Sequence, residues 1–258
     1  MDVTIGAAVE FRDAGGRLFA TYHYDDPYKP FFRSLCTPSD RDVVAVPAPD
    51  HLHHKGLQYG LCAEDVNFWE EDAASEPARR RIGLQVTESL ERLDGTERTG
   101  FTQQLIWRDG VCVSFRETRT ISVSQTSPAA YRWIWRTVLT AQRDLQLAVS
   151  AWPQQGGYCG LGLRLAPELF LRKSSTVSMP EGAGMSGSMP TSIAVHGARA
   201  GITFEQDEQR DVLFIRGCDA GSQADYAFLS LGPTNGSPRS LKNGDCLVGL
   251  YAVTVEER

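Results

Sequence analysis

The chain has 258 residues, of which 41% are hydrophobic and 22% are charged, and its formal net charge is −6. This composition is that of an ordinary globular protein with enough apolar material for a sizeable core. The negative charge argues against nucleic acid or an anionic membrane surface as the main partner. No window reaches the ~18 consecutive apolar residues of a transmembrane helix, and the N-terminus lacks a signal-peptide pattern.

The six cysteines are far apart and form no CxxC motif. Without an export signal, this pattern predicts reduced thiols in a cytoplasmic protein, packed mostly as small buried hydrophobes.

In chain order, alternating apolar and polar residues predict β-strands almost throughout. The run 111–123 places four side chains on one face, which are Val111, Val113, Phe115 and Glu117. Further runs cover 131–141 and 143–152, and then SIAVHG, AGITFEQ, DVLFIRG, DYAFLSLG and CLVGLYAVTVEE. The segment 68–81 has helix-favouring residues, but Pro77 interrupts it, so at most one or two turns are expected there.

A dozen or more short strands without intervening helices predict an all-β protein, an antiparallel β-sandwich or barrel. No linker divides the strands, so we expect a single domain over residues 1–258. The stretch 179–190, rich in Gly, Ser and Met, is expected to form a long loop over one end of the sandwich.

Three of the five histidines, His51, His53 and His54, lie in the sequence DHLHHKG. On an extended backbone His51 and His53 would share one side, whereas on a helical turn His51 would pair with His54. The following Gly56 and the strand-like LQYGL favour the extended or looped form. Such histidines could bind a divalent metal, act as general acid–base catalysts, or form structural hydrogen bonds.

The next stretch, CAEDVNFWEE, adds groups suited to a sugar. Asp65 and Asn67 could bind hydroxyls, and Trp69 could stack on a sugar ring. Glu70 and Glu71 are expected to belong to an ordinary solvated loop.

Residues 33–71 resemble the signature of the PmoA-like family of domains of unknown function. The family's Asp-His-Pro-His-His-Arg-Gly-Leu stretch corresponds to DHLHHKGL here, with Leu52 in place of proline and Lys55 in place of arginine. Its Asp-Val-Asn…Phe-Trp stretch corresponds to DVNFW, and FRETRTISV and GGYCGLGLRLA resemble two further motifs. The segment 202–216 departs from the family pattern.

The resemblance implies a galactose-mutarotase-like supersandwich and a context of bacterial carbohydrate catabolism. The family's "methane oxygenase" label does not fit this chain, which has no membrane span and no plausible copper site beyond the histidines. We therefore predict a carbohydrate-active enzyme that uses acid–base chemistry, with or without a metal, on a sugar, glycoside or keto-sugar. Lyase, hydratase, hydrolase and epimerase types all stay open, as does homo-oligomerisation.

The predicted catalytic residues are His51, His53 and Glu117, although Glu117 could instead form an ion pair with Arg119. His51 and His53 are also the candidate ligands of a divalent metal, and no other cofactor is implied. The predicted substrate-binding residues are His54, Lys55, Asp65, Asn67, Trp69, Tyr158 and Arg164. The alternatives to an enzyme are a non-catalytic carbohydrate-binding module and a purely structural subunit.

Overall fold

The structure is a computed structural model that describes residues 1–48, 50–75, 80–93, 98–148, 159–170, 175–180, 187–206, 211–218, 225–234 and 237–258. Over these ranges the chain forms strands and one short helix. The first eleven strands are β1 (Asp2–Ile5), β2 (Val9–Arg12), β3 (Leu18–His23), β4 (Phe31–Leu35), β5 (Leu57–Gly60), β6 (Cys62–Ala63), β7 (Val66–Asn67), β8 (Arg81–Ile82), β9 (Leu84–Leu93), β10 (Thr99–Asp109) and β11 (Cys112–Ser127). The remaining elements are β12 (Ala130–Ala141), β13 (Leu145–Leu147), β14 (Gly160–Leu165), α1 (Pro167–Phe170), β15 (Ser175–Ser178), β16 (Ser192–Gly197), β17 (Ala200–Gln206), β18 (Val212–Arg216), β19 (Ala227–Gly232), β20 (Arg239–Leu241) and β21 (Cys246–Glu257).

Three sheets contain these strands. The first has the order β1-β2-β3-β4-β5-β14-β19-β18, and the second has the order β15-β16-β17-β21-β12-β11-β10-β9. A smaller sheet has the order β20-β13-β6-β7-β8. All pairs are antiparallel except the two-residue pair between β7 and β8. The predicted all-β antiparallel sandwich is confirmed.

Aromatic side chains join the two large sheets. Phe11 and Phe32, from the first sheet, pack with their ring centroids 4.9 and 5.0 Å from that of Trp133 in the second sheet. These residues belong to a buried cluster that extends along the chain from Val3 to Val255. The alternation in the sequence produces this core, because every second side chain of a strand faces the opposite sheet.

Some local predictions are wrong. Val111 is 95% exposed because it lies in the turn between β10 and β11, before the strand begins. The run 143–152 forms only the three-residue strand β13 within its described part. In the described part of 68–81 no helix forms, which agrees with the limit of at most one or two turns, whereas α1 lies where none was predicted. The loop predicted over 179–190 falls largely on 181–186, outside the described residues.

All six cysteines are free of disulfides, and three of them are buried, which are Cys62, Cys159 and Cys218. Cys112 and Cys246 are exposed, so the prediction of buried packing is wrong for these two. Among the described residues, no helix is both long and apolar enough to cross a membrane.

The long connection between β4 and β5 positions the histidine sequence. It lies along β14, where the amide of Ala45 donates to the carbonyl of Arg164 and the amide of Arg164 donates to the carbonyl of Gly56. Gly56 has φ of +49°, and a Cβ there would lie 2.0 Å from the carbonyl oxygen of Phe32. Glycine is therefore required where the connection enters β5.

Candidate functional site

Two consecutive turns form the histidine sequence. The amide of His51 donates to the carbonyl of Ala48 (3.0 Å), and that of His54 donates to the carbonyl of His51 (2.9 Å). The imidazoles of His51 and His54 are nearly parallel, at 5°, with centroids 4.8 Å apart. Of the two forms favoured from the sequence, the backbone is therefore looped and not extended. The expected pairing of His51 with His53 is wrong here, because His51 pairs with His54 as it would on a helical turn.

His51 is bound to a carboxylate that an arginine also holds. Its Nδ1 lies 2.8 Å from Oδ2 of Asp50. The Nη2 of Arg164, on β14, donates to both oxygens of Asp50 at 2.9 and 2.7 Å. The His51 side chain is 32% exposed, whereas that of Arg164 is buried. A half-exposed imidazole thus depends on a carboxylate that a buried guanidinium fixes in place.

His53 forms a second carboxylate–imidazole pair, which is buried. Its Nδ1 lies 2.9 Å from Oε1 of Glu70, and the two residues are 5% and 2% exposed. The same oxygen accepts the backbone amides of Glu71 and Asp72. Because an ionised carboxylate only accepts hydrogen bonds, His53 donates through Nδ1. Glu70 was predicted to be solvated, and its burial against His53 makes that prediction wrong.

His54 is fully buried, and its ring stacks on Phe228 of β19 with centroids 4.2 Å apart. Its Nδ1 lies 3.2 Å from Nη1 of Arg164. A guanidinium has donors but no acceptor, so Nδ1 of His54 must be the acceptor. A substrate cannot reach this imidazole directly while it is buried in this way.

Burial and hydrogen bonding shift the pKa values of these groups. Burial lowers the pKa of His53, an effect that the hydrogen bond to Glu70 opposes in part. Burial lowers the pKa of His54 further, and the neighbouring positive charges add to the shift. For Asp50 and Glu70, burial alone would raise the pKa, but the hydrogen bonds from Arg164 and His53 respectively help to lower it. These residues are called the histidine cluster, which includes Asp50, His51, His53, His54 and Glu70. At neutral pH it combines the neutral buried imidazoles of His53 and His54 with ionised carboxylates.

A network of ion pairs surrounds Glu71, the residue that follows Glu70. The buried Nζ of Lys29 donates to the carbonyl of Trp69 at 2.8 Å and to Oε1 of Glu71 at 2.5 Å. Lys55, predicted to bind substrate, donates to Asp26 at 2.7 Å and to Glu71 at 2.8 Å. The structure therefore places Lys55 in a network that anchors the backbone next to Glu70.

Asn67 and Trp69 pack against the histidine cluster and fix the backbone next to it. Oδ1 of Asn67 accepts the amides of Trp69 (2.8 Å) and Glu70 (2.9 Å), which fixes the turn carrying Glu70. Trp69 is 0% exposed, and its ring centroid lies 6.4 Å from that of His54. The indole has no open face for a sugar, and a Cβ at Gly162 would lie 2.3 Å from its Cη2. The close approach of Trp69 explains why a glycine occupies this position of β14.

Glu117 is not part of the histidine cluster. It lies on β11, in the second sheet, and its carboxylate accepts from Trp107, Thr137 and Arg119. Arg119 also donates to Tyr22 at 2.9 Å, and both charged side chains are fully buried. These contacts correspond to the ion-pair alternative for Glu117, so we leave it out of the acid–base set.

The remaining predicted residues lie outside the cluster or outside the described residues. Asp65 is exposed in the turn between β6 and β7, where it pairs with Arg81 at 2.6 Å. Tyr158 lies outside the described residues.

A metal site needs several converging donors. Among the described residues, no group of three or more His, Cys, Asp or Glu side chains is arranged to hold a metal ion. His51 and His53 direct Nδ1 at separate carboxylates, with their rings 80° apart, so only Nε2 of each ring could bind a metal. The predicted metal at His51 and His53 stays a prediction.

Sequence reasoning missed Asp50, Glu70, Tyr226 and Phe228 as parts of the cluster. Two guanidinium groups lie over the ring of Tyr226, that of Arg164 at 4.4 Å and that of Arg216 at 5.4 Å from its centroid. Tyr226 and Phe228 are 170 or more positions beyond the histidines, so only the fold brings them together. For Asp50, its position directly before His51 in the sequence was the signal that could have identified it as a partner of that histidine.

The chain belongs to a family of unknown function, DUF6807, whose profile matches residues 10–258. The PmoA-like label that the resemblance implied stays a prediction. No curated protein matches the sequence.

Two similar solved structures are heparinase III gene products, one of them with methylated lysines. The first is 9% identical with a TM-score of 0.40, and the match covers 99% of this chain and 36% of the other. The second is 7% identical with a TM-score of 0.34, and the match covers 97% and 35%. The chain thus spans about a third of the length of these structures, and a likeness this low carries no argument about activity.

Proposed function

We propose that the chain is a carbohydrate-active enzyme that transfers protons through two carboxylate–imidazole pairs, Asp50–His51 and Glu70–His53. The observation that carries this proposal is that the two pairs lie side by side, with the imidazole centroids 5.7 Å apart. In each pair the carboxylate binds Nδ1, so proton exchange with a substrate would use Nε2. Two imidazoles held in this way can serve as an acid and a base in one reaction.

The environments of the two pairs suggest different roles. His53 is buried with a lowered pKa, so at neutral pH it is a neutral imidazole that can accept a proton at Nε2. His51 is the more exposed of the two and meets a substrate first. In a lyase-type reaction, His53 takes a proton from a ring carbon and the C–H electron pair forms a double bond. The C–O bond breaks, and His51 in its imidazolium form gives its Nε2 proton to the departing oxygen, which leaves a neutral His51 with its remaining proton on Nδ1. Hydration is the reverse of these steps.

The substrate class, a sugar, glycoside or keto-sugar, follows from the PmoA-like resemblance. Hydrolysis or epimerisation would use the same two imidazoles.

The test is a screen of the purified chain against a panel of glycosides and 3-keto-glycosides, with product detection by mass spectrometry and binding by calorimetry. We expect turnover of at least one compound by the wild type. His53→Gln should reduce the rate by about 10² to 10⁴-fold, the usual contribution of a general acid or base. His196→Gln, on β16 outside the cluster, is the matched control and should retain the wild-type rate.

Binding of a sugar without turnover of any compound would contradict the enzyme and favour the binding module. An equal loss of rate in His53→Gln and His196→Gln would also contradict the assignment, because only one of these residues belongs to the cluster.

A further inference from the structure

We infer that Arg164 and His54 are positioning residues, which set the proton arrangement of His51 through Asp50 and do not contact the substrate. This inference rests on the proposed function of the Asp50–His51 pair. It also changes the role of both residues, which the sequence predicted to bind substrate.

Arg164 fixes the carboxylate of Asp50. A single nitrogen of Arg164, Nη2, donates to both oxygens of this carboxylate. The remaining acceptor capacity on Oδ2 receives His51 at 2.8 Å. Held in this way, an ionised Asp50 fixes the His51 tautomer that carries the proton on Nδ1 and leaves Nε2 for chemistry.

The guanidinium of Arg164 is itself held in one orientation. Arg164 has a second nitrogen, Nη1, directed at Nδ1 of His54, and a ring face on Tyr226. Its backbone is fixed by hydrogen bonds to the β4–β5 connection at Ala45 and Gly56. The guanidinium is thus held in place on three sides, by an acceptor, an aromatic face and the strand itself.

The contact with Arg164 also decides the tautomer of His54. Since Arg164 can only donate, His54 must present a lone pair at Nδ1 and carry its proton on Nε2. This is the tautomer opposite to that of His51, although the two rings are stacked 4.8 Å apart. Stacking on Phe228 at 4.2 Å and complete burial hold the His54 ring in this orientation. A protonated His54 would direct an N–H at the guanidinium and break the arrangement.

The test is a long-range proton–nitrogen correlation spectrum of the imidazoles of the folded protein at neutral pH, assigned with single histidine variants. It needs no substrate, so it remains decisive if no turnover is found. The wild type should show His51 protonated at Nδ1 and His54 unprotonated at Nδ1. A spectrum with a proton on Nδ1 of His54 would overturn the inference, whatever the activity.

Variants of Arg164 test whether this residue sets the tautomer of His51 through Asp50. Arg164→Met should change the His51 signals to a mixture of tautomers, because Asp50 loses its anchor. Arg164→Lys should restore them only in part, since an ammonium cannot reproduce two directed nitrogens. Arg216→Met removes the other guanidinium on Tyr226 and is the matched control, with His51 signals unchanged.

Where a substrate has been found, Arg164→Met should lower kcat by up to about 100-fold with little change in KM, the signature of misplaced groups. A folded Arg164→Met protein with wild-type His51 signals would refute the positioning role. So would a large rise in KM at constant kcat, which would indicate direct substrate binding.

Discussion

Replacing Glu117 with glutamine tests whether this buried carboxylate stabilises the fold or takes part in catalysis. Glu117 accepts four hydrogen bonds, two of them from Arg119, and neither charged side chain is exposed. Glu117→Gln leaves the guanidinium buried without a counter-charge, which typically costs about 3–5 kcal/mol. For a domain of this size, about 2–4 °C is lost per kcal/mol, so Tm should fall by about 6–20 °C.

Thermal unfolding followed by circular dichroism measures this change, and Glu88→Gln is the control. Glu88 pairs with Arg116 at 2.6 Å, but both side chains are exposed, and such pairs contribute about 1 kcal/mol or less. The control should therefore lose less than about 4 °C. A Tm for Glu117→Gln that stays within about 4 °C of the wild type would refute the structural role.

Two further stability predictions follow from the packing and the buried charges. Gly162→Ala places a Cβ 2.3 Å from Trp69 and should lower the free energy of unfolding in urea by about 1–3 kcal/mol. The control Gly6→Ala, whose Cβ would have no atom within 4 Å, should not lower it. Equal free energies of unfolding for the two variants would refute the close approach of Trp69 to Gly162. Burial raises the pKa of Asp211 to about 6 from 3.8, so the stability from its bound proton is full below pH 3.8 and is lost as the pH rises through about 6. The Tm of Asp211→Asn should therefore rise relative to that of the wild type as the pH increases from 4 to 7. A Tm difference between the two proteins that stays constant across this range would contradict the raised pKa of Asp211.

The strands could be predicted from the sequence because burial on one face imposes a period of two. β12 shows this most clearly, since its alternating side chains are the ones that face the opposite sheet. The prediction failed where the chain turns from one strand into the next. Val111 lies in the turn between β10 and β11, and its apolar side chain is therefore exposed. Which strands share a sheet was not predictable, because β14 pairs with β5 and β19 across long stretches of sequence.

The site could be predicted only in part. The histidine sequence identified its position, but not its geometry, because a short polar stretch is compatible with either an extended or a turn conformation. Glu70 looked like a loop carboxylate beside Glu71, but it is buried in a turn that Asn67 fixes by accepting two backbone amides. Arg164 was found as a residue but not in its role, since its partners Asp50 and His54 lie more than 100 positions away.

The most direct test of the proposed acid–base centre is kcat for His51→Gln, His53→Gln and the double variant on a substrate from the panel. We expect a loss of about 10² to 10⁴-fold for each single variant. Because both imidazoles serve one reaction, the double variant should lose far less than the product of the two losses. Wild-type kcat in His51→Gln, with the protein folded, would contradict the proposal that the two carboxylate–imidazole pairs act together on the substrate.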